Sequence, residues 1–459
     1  MRRLLLLLVV VAVAAISCQE DIVCKDIQYQ QDVANKQASP YAVSEEEALT
    51  HLDAFMSIIG ASETRSVQRK IKNIQTIKYS NVSVDTRTNE SEVDNLLYVV
   101  EFDNGQGSAV LGADRRVDNV FAVLESGVLS VGDFEGTDVR CDDEKLEMFL
   151  VKLIVNEAVD QVNESNQSTV NSSPKPLLPL DTLELSTDIC DYVDVRNVYN
   201  YVAPMLRTKW NQSEPFNEKF PMTSDHNTTE YKPYAGCGAI AMAQLMVYHR
   251  LSNTVTLNGN KYYYDDLALF TYDNIDNVIN NDYLANQLQY FIYDVAEEMN
   301  SKYYPEGTST SSLDAARVMR KVGFHNVLTI INDEDIIKEM IDDGRPVYLR
   351  GADDMDTNNL NDNVGHCWIL DGRICYSTTT YIVTKRDGVV VDREVFYSSP
   401  VHDYVHCNFG WGGEYDGYYN YNIYDVCNIR PQDMLEPGDI VSNDKDRVYD
   451  VGLWITKYN

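Results

Sequence analysis

Four short stretches of this chain carry side chains suited to attack on a carbonyl carbon. In YAGCGAIAMAQLMVYHR, Cys237 stands between Gly236 and Gly238, and Ile240, Ala243, Met246 and Val247 then fall on one helical face. That spacing puts the thiol at a helix N-terminus, where unpaired N–H groups and the helix dipole favour thiolate. The flanking glycines leave room for a substrate backbone. In VGHCWILDG, His366 opens an apolar strand directly after a glycine, so its ring stands at a strand end facing a cleft. An imidazole beside a thiolate stabilises it as an ion pair and then gives a proton to the departing amine. In VHCNFGWGGEYDGYY, Asn408 is placed to hydrogen-bond the far nitrogen of His366 and fix its tautomer. Trp411, set among Gly410, Gly412 and Gly413, would keep water from that bond. Gln212 lies 25 residues before Cys237, and its amide would join the Cys237 N–H in an oxyanion hole. Each stretch alone also has a structural reading: a buried cysteine at a turn, a histidine at a strand end, a packed glycine-aromatic turn. The four together favour the chemical one.

Two sets of elements must position these residues. Ser44-Glu45-Glu46-Glu47 is a capping box for a helix with Ala48, Leu49, Leu52, Phe55, Met56 and Ile59 in register, ended by Gly60. Strand-like runs follow at 75–79, 96–102 and 107–112, then DNVFAVLESGVLS as a strand broken by Gly127, then a helix over 143–162, making a compact α+β unit. Residues 163–179 are polar and then proline-rich, and read as an exposed linker open to proteolysis. A larger unit begins near 185, with helices at 237–250, 284–299, 310–322 and 333–343 and strands from 346 onward. YIVTK and VVVDREVFY around Arg386-Asp387-Gly388 spell a hairpin, an insertion expected to shape substrate entry.

The chain has 459 residues, enough for two or three domains, and 44% of them are hydrophobic, which excludes wholesale disorder. A net charge of -33 excludes nucleic acid as a partner. Arg2 and Arg3 precede the 13 apolar residues Leu4 to Ile16, a secretion h-region too short to span a bilayer. Ser17-Cys18 after it resembles a bacterial lipobox, with Cys18 as the acylated N-terminus and only membrane attachment; an ordinary secretory peptide is the other reading. Either way export to the cell envelope, the cell surface or the medium is expected. Nine cysteines without a CxxC pair give neither a disulfide scaffold nor a structural zinc site, and no metal or organic cofactor is expected. If the strands of His366 and Asn408 pair antiparallel, Cys367 and Cys407 become neighbours, as a disulfide or as two thiols.

The order Gln, Gly-Cys-Gly, Gly-His, Asn-x-Gly-Trp, with 129 residues from Cys237 to His366, is similar to that of papain-like enzymes. More closely, PMLRTKWNQSEPFN, YAGCGAIAMAQLMVYHR, GRPVYLRGA, GHCWILDG and NFGWGGEYDGYY resemble the streptopain family of bacterial cysteine peptidases. The likeness covers roughly 200–425, and YAVSEEEALTHLDAFM and LYVVEFDNGQGSAVLGADRRVDNVFAVLESG are similar to that family's propeptide. The resemblance implies an α+β papain-like catalytic domain at 186–459, a propeptide at 19–185 and a signal peptide at 1–18. It implies polypeptide substrates and inhibition by the chain's own propeptide, which displaces the histidine until it is cut away. Cys237 would be nucleophile, His366 base, Gln212 oxyanion donor, with Asn408 and Trp411 in the glycine-tryptophan loop. Phe409, Cys367 and Val364 depart from the family pattern. Two other readings are kept: a cell-wall amide hydrolase or transpeptidase with the same dyad, and a catalytically silent surface binding protein.

Overall fold

The computed structural model describes residues 39, 41–62, 69–82, 94–134, 144–167, 189–224, 229–305, 307–353, 365–386, 389–424 and 451–458. The leader with Cys18, most of the 163–179 linker, and Cys24, Cys141 and Cys427 lie outside them.

Ser44 caps the first helix as its spacing predicts: its Oγ accepts the Glu47 N–H at 3.2 Å. Helix α1 (Glu45–Ser62) buries Ala48, Leu52, Phe55 and Ile59 along one stripe and runs two residues past Gly60. Strands β1 (Ile71–Lys78), β2 (Asn95–Phe102), β3 (Ser108–Gly112) and β4 (Val120–Leu124) form an antiparallel meander. Helix α2 (Glu144–Gln167) follows. Alternation along β2 sends Tyr98 and Val100 to the α1 side and Leu97 and Val99 to the α2 side, so both faces are covered.

After β5 (Ile189–Val202) come helices α3 (Cys237–His249), α4 (Asp282–Glu298), α5 (Ser312–Val322) and α6 (Glu334–Asp342). Asn281, Ser311 and Asp333 cap the last three through side-chain oxygens, which fixes where each begins. Helix α3 is apolar on all sides and buried from Gly238 to Val247, so it is the central strut of this half. Three short two-stranded ribbons aside, the later strands are β6 (Leu328–Ile331), β7 (Val347–Asp353), β8 (Gly365–Arg386), β9 (Val389–Ser398), β10 (His402–Asn408), β11 (Gly417–Asn420) and β12 (Val451–Lys457). The helices and antiparallel strands make the α+β class that the sequence implies.

The sheet runs β1–β2–β3–β4–β11–β10–β8–β7–β12–β6. The first α+β unit is therefore continuous with the second: β4 pairs with β11, Tyr418 opposite Val123 and Tyr419 opposite Ala122. At the seam a Cβ on Gly417 would lie 2.3 Å from the Val123 carbonyl oxygen, so only glycine admits this approach. By contact, residues 33–178, 198–376 and 401–459 form one compact unit. The smaller unit includes 179–197 and 377–400. There the far end of β8 pairs with β9, as the hairpin pattern predicts, and Val193, Val195, Tyr381 and Val383 pack together. Asp387 and Gly388 at its tip lie outside the described residues.

Strands β8 and β10 pair antiparallel, but the register corrects the expected cysteine neighbours. Cys407 faces Leu370, and Cys367 faces Arg350 on β7. Both thiols are free, and the Cys407 Sγ lies 3.1 Å from the Tyr424 hydroxyl.

The α1 face is anchored by Phe55, fully buried, whose ring centroid lies 4.7 Å from that of Tyr404 and 6.0 Å from that of Tyr418. Phe55→Ala is expected to cost about 3–5 kcal/mol, measured as a lower urea midpoint with an unchanged slope, together with faster proteolysis inside 45–134.

Candidate active site

Cys237 is the first residue of α3, and Gly236 before it holds φ at 93° with its Cα against Thr308, whose Cγ2 would sit 2.7 Å from an added Cβ. Glycine is required there by backbone angle and by space together. The half-buried thiol accepts the Cys367 N–H at 3.3 Å. The Cys367 thiol also donates to it, and this bond does most to lower the Cys237 pKa, to about 7. Burial opposes the shift, while the Cys367 and Gly238 N–H groups and the Arg350 charge support it. Conversely, that donated bond and burial push the Cys367 thiol well above its ordinary range.

His366 is buried beside this pair at the start of β8. Its Nε2 lies 2.8 Å from the Phe409 carbonyl oxygen. A carbonyl only accepts, so Nε2 carries the proton and donates it there. Burial lowers the ring's pKa and favours the neutral form; the Phe409 carbonyl and nearby Cys367 and Asp416 oppose this. Trp411 stacks on the ring at 6.3 Å and 12°, and Trp368 at 6.2 Å and 21°. Among the described residues the imidazole makes no hydrogen bond to Cys237.

Asn408 does not hold the ring, in contrast to the sequence expectation. Its Nδ2 donates to the Thr208 carbonyl at 2.8 Å, and its Oδ1 accepts from Gln244 Nε2 at 2.9 Å and from the Gly410 N–H at 3.3 Å. The cause is Gln244, two turns along α3 from Cys237 and fully buried, which takes the Asn408 carbonyl as its acceptor. The Phe409 carbonyl, one residue on, meets the imidazole instead.

Gln212 is buried, and its Nε2 has no acceptor among the described residues. Its backbone carbonyl accepts the Ala235 N–H at 2.8 Å, which ties it to the segment two residues before Cys237. A buried amide donor without an acceptor is costly unless another group uses it. A cavity of about 290 Å³ is lined by the chain neighbours of Gln212 (Asn211 and Ser213) together with Tyr234, Trp411, Glu414 and Tyr415.

A second set of residues was not legible in the sequence. Residues 125 and 126, just after β4, clasp the loop that carries Trp411. The Glu125 N–H donates to the Asp416 carbonyl at 2.7 Å, the Ser126 hydroxyl to the Gly413 carbonyl at 2.6 Å, and the Tyr415 N–H to the Ser126 carbonyl at 3.2 Å. The Glu125 carboxylate meets Lys209 Nζ at 2.6 Å and His406 Nε2 at 3.3 Å, and His406 Nδ1 meets Asp371 at 2.6 Å. Burial works against charge on His406, but Asp371 and then Glu125 raise its pKa to about 10. For Glu125 burial is likewise overcome, by His406 and Lys209, and the carboxyl sits well below its ordinary range. On the same loop, Asp416 accepts the Phe409 N–H at 2.8 Å, and burial raises it to about 7. No spacing rule pairs positions 125 and 406; the only trace is a histidine alternating with the Asn408 motif.

A thiolate-prone cysteine on a helix end, an imidazole at the facing strand and an unspent amide donor are the groups that thiol-dependent acyl transfer uses. Residues 210–419 match the Peptidase C10 family. It is 24% identical over 262 residues to the thiol protease/hemagglutinin PrtT of Porphyromonas gingivalis, a match covering 50% of this chain and 25% of that protein. The chain thus spans a quarter of that relative. It is 20% identical over 406 residues to streptopain of Streptococcus pyogenes, covering 83% of this chain and 85% of streptopain. A solved fragment of prointerpain A from Prevotella intermedia aligns with a TM-score of 0.44 at 18% identity, over 84% of this chain and 98% of that one.

The thiol environment gives a direct test. Alkylation of Cys237 in the full chain, followed by peptide mass, is expected to rise with pH around a midpoint near 7. Cys367→Ala removes the largest stabilising bond, so its midpoint is expected to move up toward 9.

Proposed function

We propose that this chain is the zymogen of an exported cysteine endopeptidase, with Cys237 as nucleophile, His366 as general base and acid, and residues 19–185 as an inhibitory propeptide. The observation that carries the reading is the position of the His366 proton. It is held by the Phe409 carbonyl, in a loop that residues 125–126 grip from the other side.

The chemistry follows from the site. The Cys237 thiolate attacks the scissile carbonyl carbon, and the oxygen takes its charge toward the Cys237 N–H and Gln212 Nε2. The imidazolium returns a proton to the leaving amine, which leaves a thioester on Cys237. Water, deprotonated by the imidazole, then releases the acid and restores the thiol. For this His366 must let go of Phe409, and loosening of the 409–416 loop provides the freedom. Export by the leader and anchorage through acylated Cys18 complete the proposal. Cleavage in the linker would free the catalytic part from that anchor.

The clasp has a pH signature. His406, with its folded pKa raised from 6.5 to about 10, contributes fully below 6.5, and the contribution fades as pH rises through about 10. Glu125, lowered from 4.5, contributes above 4.5 and loses its effect only in stronger acid. The clasp is thus strongest between about 4.5 and 6.5 and persists at neutrality. Glu125→Ala leaves His406 Nε2 and Lys209 Nζ without their shared acceptor, a cost of about 1–3 kcal/mol. Its lag before casein hydrolysis is expected to shorten by about tenfold relative to the unmutated precursor, and an unchanged lag would count against the clasp.

The deciding experiment is a time course of the precursor from Gln19 beside Cys237→Ala, under reducing conditions, with intact mass and casein hydrolysis followed together. Loss of the first ~150 residues with gain of caseinolysis in the unmutated chain alone supports a self-maturing peptidase. Trimming of both by added protease, with caseinolysis only in the unmutated one, keeps the peptidase and assigns maturation to another enzyme. Absence of casein cleavage in both returns the silent scaffold or the cell-wall amidase.

A further inference from the structure

The Cys237 thiol has a second cysteine, Cys367, against it, and the peptidase chemistry does not require one. Cys237 Sγ accepts the backbone N–H of Cys367 at 3.3 Å, and the Cys367 side chain is near enough to lower the Cys237 pKa. The two residues sit on separate rigid elements, the first turn of α3 and the start of β8. Each is reduced, while Cys407 is spent on Tyr424 and Cys375 lies eight residues farther along β8. Access is unequal: Cys237 is half-buried, whereas Cys367 is 4% exposed. An oxidant from solvent therefore meets Cys237 first.

We propose that Cys367 is a resolving thiol, which converts peroxide-oxidised Cys237 into an intramolecular Cys237–Cys367 disulfide and so stores the nucleophile in a reversible, protected form. The proposal rests on Cys237 being the nucleophile of the peptidase reading. In the first step the Cys237 thiolate attacks one peroxide oxygen. An S–O bond forms, the O–O bond breaks, and hydroxide leaves and is protonated to water. The product is a sulfenic acid. In the second step the Cys367 sulfur attacks the Cys237 sulfur, the S–S bond forms, and the S–O bond breaks with loss of water that carries the Cys367 proton. Two thiols lose two electrons in all, and one peroxide becomes two waters. Conversion of Cys237 to the neutral sulfenic acid also removes the negative partner that held the Cys367 proton, so the second thiol becomes easier to ionise once the first has reacted. The disulfide ties α3 to β8 beside His366, and a small thiol that attacks it restores both groups. Without Cys367 the sulfenic acid would proceed to sulfinic and sulfonic acids, which do not return.

The test uses the full chain and hydrogen peroxide. The protein is oxidised stepwise, remaining thiols are blocked, and peptides are mapped by mass without reduction, while parallel samples are reduced with dithiothreitol and assayed on casein after maturation. The expected result is a linked peptide joining Cys237 to Cys367 and recovery of most of the starting activity. In Cys367→Ala, Cys237 is expected to carry two or three added oxygens, with permanent loss of most activity. Should the alanine variant not fold, Cys367→Ser keeps size and polarity and makes the same comparison. Absence of the linked peptide, or equal permanent loss with and without Cys367, overturns the proposal. The linked peptide is read by mass even if the chain never cuts casein, so failure of the peptidase reading is seen separately.

Discussion

One hydrogen bond organises this site: the Phe409 carbonyl accepts the His366 proton at 2.8 Å. Its geometry is over-determined by the loop around it. Asp416 holds the Phe409 N–H, Trp411 lies flat on the imidazole, and residues 125–126 bond to the far side of the same loop. Each of these contacts is modest alone. Set in a buried loop, they remove the alternatives open to the imidazole. The Cys237 thiol, meanwhile, is set independently by the helix end and by Cys367, so thiol and imidazole stand near each other without a hydrogen bond between them among the described residues.

Much of this was legible in the sequence because it is local. The Ser44 cap, the period of α1, the Gly-Cys-Gly turn before α3 and the Asp-Gly hairpin all depend on neighbours a few residues away, and they form where their patterns place them. Cys237, His366, Gln212 and Trp411 could be nominated because each stands in a short segment of special composition. What escaped the sequence was register and long-range partnership. Asn408 is a good triad member by type, yet Gln244 and Thr208 use its amide, and a one-residue step along the chain gives the role to a backbone carbonyl. Cys407 was matched with Cys367 on the assumption of direct opposition, and the strand offset moved it to Leu370. The edge pairing of β4 with β11 leaves no mark in either strand beyond a glycine.

The burial of charge in the clasp is a separate lesson. Glu125, His406, Asp371 and Lys209 form a chain of alternating sign between the two halves of the larger unit. Such chains give directional matching, because each member is costly if left without its neighbour. The apolar packing around Phe55 supplies adhesion, and the charge chain supplies the one seating in which the 409–416 loop is gripped.

Gly417 carries a consequence for the sheet if its first strands are taken away. Strand β11 has β10 on one side and β4 on the other. With residues 45–167 removed, its N–H and C=O groups would become an open sheet edge bordered by a residue with no side chain to guard it. An exposed ribbon of that kind invites any extended chain to lie along it, a substrate's flank or a second copy's strand alike. The same absence of a methyl group that lets β4 close so tightly on β11 would leave the bare edge adhesive.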